Sequence, residues 1–225
     1  MDNPTQRPPL ASPGTAGTGW RPILWRYGAY VLAVALVVES IVISAESGWL
    51  GSLGRETGPI EYAHQVLCAL AAVAFARAAV VRRELRDILA IAAYGATLGV
   101  IRETDALLDH LAFKGAYKVP AALVGALALA RLWRARSRWM EQLRRFAGEP
   151  SFAITAIGVL VVLLYAQLVG QKELWMAIMG ADYARPVKDA AEELQELLGY
   201  LLIFIGSVET YVVGRQAMGG RSGRI

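Results

Sequence analysis

Cysteine and histidine are nearly missing from this chain of 225 residues: Cys68 stands alone, and His64 and His110 are its two imidazoles. A single thiol closes no intramolecular disulfide and supplies no structural zinc set. Two histidines in total fall short of a three-histidine zinc site, and of the paired histidine ligands of quinone or haem cytochromes. Charge is scarce as well, at 19% of residues, against about a quarter in an average soluble domain. The opening stretch, Met1 to Gly19, lacks the short apolar core of a cleavable signal peptide. Rich in Pro, Gly, Thr and Ser, it reads as a disordered cytoplasmic tail.

What the chain does have is apolar length. Hydrophobic residues make up 56% of it and the mean hydropathy is +0.40. Six apolar segments can be marked: Ile23 to Ala45, Pro59 to Val81, Asp87 to Leu108, Val119 to Trp133, Ser151 to Val169 and Val187 to Val213. Each is close to the ~20 residues that cross a hydrocarbon core of ~30 Å, the fourth being short. Lipid leaves no water to satisfy backbone groups, so spanning segments default to helices. The expected fold is therefore all-α, a polytopic membrane bundle of six transmembrane helices over residues 20–214, with the 1–19 tail before it and a basic cytoplasmic tail, 215–225, after it.

Arginine sets the orientation. Arg7, Arg21 and Arg26 precede the first segment, and Arg82, Arg83 and Arg86 separate the second from the third. Arg131, Arg134, Arg136, Arg138, Arg144 and Arg145 lie between the fourth and fifth, and Arg215, Arg221 and Arg224 follow the sixth. The alternate loops hold few cations. The positive-inside rule then places both termini in the cytoplasm of a multi-pass protein of the cell membrane, the inner membrane in a bacterium. The net charge of +4 and the pI of about 9.3 are explained by these loops, so nucleic-acid binding is not expected. Between the last two segments, Gly170 to Pro186 is amphipathic in part, as a short interfacial helix or a surface loop would be.

The ionisable groups within the segments gather at one depth. Glu39 lies about 17 residues, ~25 Å, into an outward-running helix. Glu61 and His64 open an inward-running one, Arg102, Glu103 and Asp105 close an outward-running one, and Glu192, Glu193 and Glu196 open the last. Glu61, His64, Gln65 and Cys68 fall at i, i+3, i+4 and i+7, one helix stripe; Asp189, Glu192, Glu193 and Glu196 form another, continued by Gly199 and Tyr200. A charge at the bilayer centre costs ~2.5–3.5 kcal/mol on insertion scales, and such groups turn inward or line a wet cavity. A shared pocket at the outer face is the economical expectation.

Its carboxylates outnumber its cations, so protons or a bound cation must balance them. Glu61-x-x-His64 has the spacing of carboxylate-bridged metal bundles, although such bundles use two of these pairs. Glu39, Glu61, His64, Glu103, Glu192 and Glu196 are the candidate ligands of a divalent metal, of the Zn, Mn, Fe or Mg type. Glu39, His64, Glu103 and Glu196 are candidate acid–base or ligand groups for catalysis, with Arg102 to orient a phosphate or carboxylate. Plainer roles compete: Glu61, Glu192 and Glu193 suit helix N-termini, Arg102 suits an interhelical ion pair, and His64 and Cys68 suit packing. Glu39 and Glu196 lie beyond any first turn and fit those roles poorly.

Two function classes follow: an enzyme acting on a lipid or lipid-linked substrate, or a transporter or channel for protons or cations, with a structural or assembly subunit as a third. Partners would be membrane lipids and, through small-residue faces such as Gly95-x-x-x-Gly99, a second copy of the chain. Intramembrane CAAX-type proteases carry E-E-x-x-x-R; Glu192 and Glu193 supply the pair, but Leu197 stands where that motif needs arginine. No family is assigned.

Overall fold

The computed structural model describes residues 20–46 and 59–222. Every element among them is helical. The chain divides into two units, Met1–Val42 and Ile43–Ile225. The first holds most of α1 (Trp20–Glu46), a helix of 27 residues. Leu24, Trp25, Val31, Leu32, Leu36 and Val38 are exposed along it, and Tyr27 meets Tyr30 edge to face at 5.8 Å. The 1–19 tail of the sequence reading lies outside the described residues.

The second unit runs through α2 (Pro59–Val81), a 3-10 turn, α3 (Arg86–Glu103), α4 (Asp105–Leu111), α5 (Lys118–Arg134) and α6 (Trp139–Ala147). It continues with α7 (Pro150–Leu160), a π-helical turn at Val161–Tyr165, α8 (Ala166–Val169), α9 (Lys172–Met179) and α10 (Arg185–Ser222). Three helical stretches are long and apolar enough to cross a membrane: Ile60–Val81, Pro150–Val169 and Arg185–Met218. Two other expected spans are shorter. α3 has 18 residues and α5 has 17, ~27 and ~26 Å at 1.5 Å per residue.

The third segment, expected to run on to Leu108, stops at Glu103. Thr104 has φ −110° and ψ 14°, and its hydroxyl donates to the Val100 carbonyl at 2.8 Å. That back-bond competes with the helical ladder and turns the chain. Asp105, expected beside Arg102, is thereby moved into a new helix, where its carboxylate accepts from the Ala106 amide at 2.6 Å. The Gly170 to Pro186 stretch does contain a short helix, α9. Helix α10 continues through Arg215 and Arg221, which the sequence reading assigned to a tail.

Helices pack in the order α5, α3, α2, α10, α7, each against the next, and α6 closes on α3 and α7. On α2 the buried positions are Ile60, His64, Cys68, Ala71, Phe75, Ala78 and Ala79, and the 4-4-3-4-3 spacing from Ile60 to Ala78 turns one seam inward. Tyr62, Val66, Leu70, Val73 and Val80 are exposed on the same helix. The interior meanwhile holds Ser151, Ser207, Glu209 and Thr210. Apolar side chains outside and polar ones inside suit a lipid surround, where burial of apolar groups gains nothing and polar groups must find each other.

Glycine lets α7 and α10 touch. A Cβ on Gly158 would stand 2.7 Å from the Gly199 carbonyl, and one on Gly199 would stand 3.0 Å from the Gly158 carbonyl. Small residues allow this backbone-to-backbone approach. Of the Gly95 and Gly99 pair, only Gly99 is pressed, with Cys68 Sγ at 3.0 Å from its missing Cβ; nothing lies within 4 Å at Gly95.

The opposite end of the bundle is held by arginine. Arg82 donates from both terminal nitrogens to the two oxygens of Glu149, each at 2.6 Å. The paired hydrogen bonds to Glu149 hold the Arg82 guanidinium above its ordinary pKa. Gln142 on α6 accepts from the Asp87 and Ile88 amides at 3.0 and 3.1 Å, capping α3. Arg131 Nε donates to Asp87 Oδ1 at 2.9 Å, which ties α5 to the same point.

Candidate functional site

The inward seam of α2 delivers His64 to a point where α3 ends and α10 passes. His64 is fully buried, and Glu103 and Glu196 are nearly so. Glu103 is the last residue of α3, and its exposed carbonyl is satisfied by Gln65, whose Nε2 donates at 2.7 Å. One carboxylate oxygen of Glu103 lies 3.3 Å from His64 Nδ1. The other accepts from the Tyr200 hydroxyl at 2.7 Å. Arg102, the preceding residue, donates through Nη2 to Glu196 Oε1 at 2.7 Å, with its Nε 3.8 Å from Glu103 Oε1. Its Nη1 reaches the Tyr200 hydroxyl at 3.5 Å.

Further groups close the shell. Glu193 Oε2 lies 3.7 Å from His64 Nδ1 and is partly exposed, so it sits between the buried groups and the surface. Gln167 Nε2 donates to Glu196 Oε1 at 3.4 Å from α8, just past the π-helical turn. That extra residue per turn shifts the phase of the helix, and so of Gln167 after it. The Tyr200 ring lies against His64, centroids 5.1 Å apart. Cys68, Val162 and Tyr200 form the apolar floor.

Ligand atoms of His64, Glu103 and Glu196 all lie within 4.8 Å of one another. Three donors at ~2.0–2.2 Å from one ion stand about 3.3–3.8 Å apart, so the side chains would draw in by up to about an ångström to form a coordination shell. Charge points the same way. Buried Glu103 and Glu196 share one guanidinium, that of Arg102, at 3.8 and 2.7 Å, and a buried excess of carboxylate requires a proton or a cation. His64 Nε2 is also buried without a hydrogen-bond partner, which leaves the imidazole one contact short of the usual complement.

The expected ligands do not all converge. His64, Glu103, Glu196 and Arg102 come together. Glu192 is engaged elsewhere: Lys188 Nζ donates to it at 2.8 Å, and it packs over Gly170. Glu61 is half-buried one turn before His64 and is not one of the three converging groups. Glu39 belongs to the first unit, where its side chain is exposed. Gln167 was not anticipated, because a lone glutamine in an apolar run carries no spacing signal. The roles of Tyr200 and Gln65 were visible only as stripe positions.

No family model matches the chain, no curated protein is significantly similar to it, and no solved structure matches its fold.

Proposed function

We propose that the chain is a membrane-embedded enzyme whose His64, Glu103 and Glu196 hold a divalent cation, and whose substrate is a lipid or lipid-linked molecule. One observation carries this reading: three ligand-type side chains from α2, α3 and α10, all buried, converge within 4.8 Å. Helix ends alone do not require such convergence. The ion would act as a Lewis acid toward a substrate oxygen. Arg102, about half exposed, orients the phosphate or carboxylate of the substrate. Tyr200 fixes the Glu103 carboxylate, and Glu193 moves protons between His64 and the surface.

The positive-inside rule supports six crossings with both termini in the cytoplasm, α3 and α5 completing their spans with flanking turns. The site then lies at headgroup depth in the outer leaflet, where a lipid head reaches it without leaving the membrane. A second reading, proton or cation transport, is favoured by the unbroken run of polar contacts from Glu193 through His64, Glu103 and Tyr200 to Arg102 and Glu196.

Elemental analysis of the detergent-purified chain tests the proposal. About one divalent ion per chain is expected, retained in Glu192→Gln and lost in His64→Ala and in Glu196→Ala. Metal-free protein that carries protons across liposomes would replace the enzyme reading with the transport one. Metal-free protein without flux would leave the cluster a structural ion-pair network.

A further inference from the structure

Far from the His64 cluster, a cavity of about 580 Å³ opens between the end of α2, the start of α3 and α6. It begins some 15 residues along α2 from His64, ~22 Å at the helical rise. Arg83, Arg86 and Arg138 line it together with Asp87, Gln142, Ala79 and Val80. Asp87 is one carboxylate against three lining arginines, and it is shared: Arg131 donates to it at 2.9 Å and Arg138 forms a looser ion pair with it at 3.9 Å. Among the described residues, no acidic side chain pairs with Arg83 or Arg86.

We infer that this cavity binds the phosphodiester headgroup of an anionic phospholipid. Three arginines lining one space supply guanidinium donors for the oxygens of a phosphate and disfavour a headgroup that also carries an ammonium. The apolar side of the cavity supplies the rest of the lipid. Val80 is 76% exposed, and beyond exposed Arg77 the same face of α2 carries Val73, Leu70 and Val66, apolar surface for an acyl chain. α6 lies at the mouth, with Met140 exposed and Gln142 and Phe146 buried, as an interfacial amphipathic helix is arranged. Basic pockets between spanning helices at the arginine-rich face are suited to anionic heads. The inference does not rest on the metal reading.

Native mass spectrometry of the full chain in detergent, titrated with phosphatidylglycerol or phosphatidylcholine of equal acyl length, tests it. Phosphatidylglycerol should bind at least about tenfold more tightly, and R83Q/R86Q/R138Q should remove about that preference. R134Q/R136Q/R144Q deletes equal charge from exposed positions outside the cavity and should leave the preference within about twofold. R138Q alone, at a guanidinium 71% exposed, cannot disturb packing and should still weaken binding by about threefold. Equal losses in the two triple variants would reduce the effect to general surface charge and overturn the site. Unchanged binding in R83Q/R86Q/R138Q and R138Q would do the same. Displacement of phosphatidylglycerol by excess inorganic phosphate would overturn the lipid assignment in favour of a soluble phosphate.

Discussion

The Tyr200 hydroxyl on α10 donates to Oε1 of Glu103 on α3 at 2.7 Å, across 97 residues of sequence. With His64 on the other oxygen of the same carboxylate, this bond joins three helices at one atom group. A hydrogen bond to a charged acceptor contributes ~1.5–3 kcal/mol in soluble proteins, and interhelical bonds in membranes average less, ~0.6 and at most ~1.7.

Tyr200→Phe keeps the ring against His64 and removes only the donor. Unfolding in denaturing detergent should show a loss of about 0.6–1.7 kcal/mol with helicity unchanged. If Glu103 is a metal ligand, losing the partner that orients it should also weaken metal affinity by about tenfold. Unaltered stability together with unaltered metal affinity would remove Tyr200 from the site.

Gly199→Ala and Gly95→Ala should move stability in opposite directions. The Gly199 methyl meets Val162 Cγ2 at 2.5 Å and the Gly158 carbonyl at 3.0 Å, whereas Gly95 has open space. Forcing α7 from α10 costs about 1–3 kcal/mol. Replacing Gly95 should gain about 0.4–1 kcal/mol by restricting the unfolded chain. Thermal melts of the two variants in one detergent give the comparison, and matching shifts would mean that the α7–α10 contact is looser than described.

How much of this was legible depends on the kind of signal. α2 begins at Pro59 and ends before Arg82 as the sequence implies, because Pro suits a first helical position and arginine ends an apolar run. The convergence of His64, Arg102, Glu103 and Glu196 was legible as well, since depth and stripe position are one-dimensional quantities. The end of α3 was not, because it turns on one threonine hydroxyl choosing a backbone acceptor. α6 was hidden inside an arginine-rich stretch that had already been explained by topology. Gln167 depends on the phase shift of a π-helical turn, which hydropathy does not encode.

Arg82 and Glu149 should be strongly coupled. The fork is bidentate at 2.6 Å, with the two side chains 12% and 22% exposed. Arg82→Ala strands a partly buried carboxylate and should cost about 3 kcal/mol, while Arg82→Lys, which cannot make the fork, should cost about 1. A double-mutant cycle with Glu149→Gln should return a coupling of about 1–3 kcal/mol. Additive losses would mean that the pair is a surface contact without energetic weight.

Sidedness can be read with thiol chemistry because the native thiol is out of reach. Cys68 is 3% exposed and is covered by Gly99, so a membrane-impermeant maleimide should label the intact wild-type chain only after denaturation. Against that silent background, cysteine placed at exposed Lys114 lies in a loop poor in arginine, and cysteine placed at exposed Arg136 lies in the richest one. Positive-inside topology requires Lys114→Cys to react in intact cells and Arg136→Cys to react only after permeabilisation. The opposite pattern would turn the His64 cluster toward the cytoplasm and withdraw the outer-leaflet substrate. Equal labelling of both in intact cells would mean that α5 does not cross the membrane, for which its 17 residues are the shortest of the proposed spans.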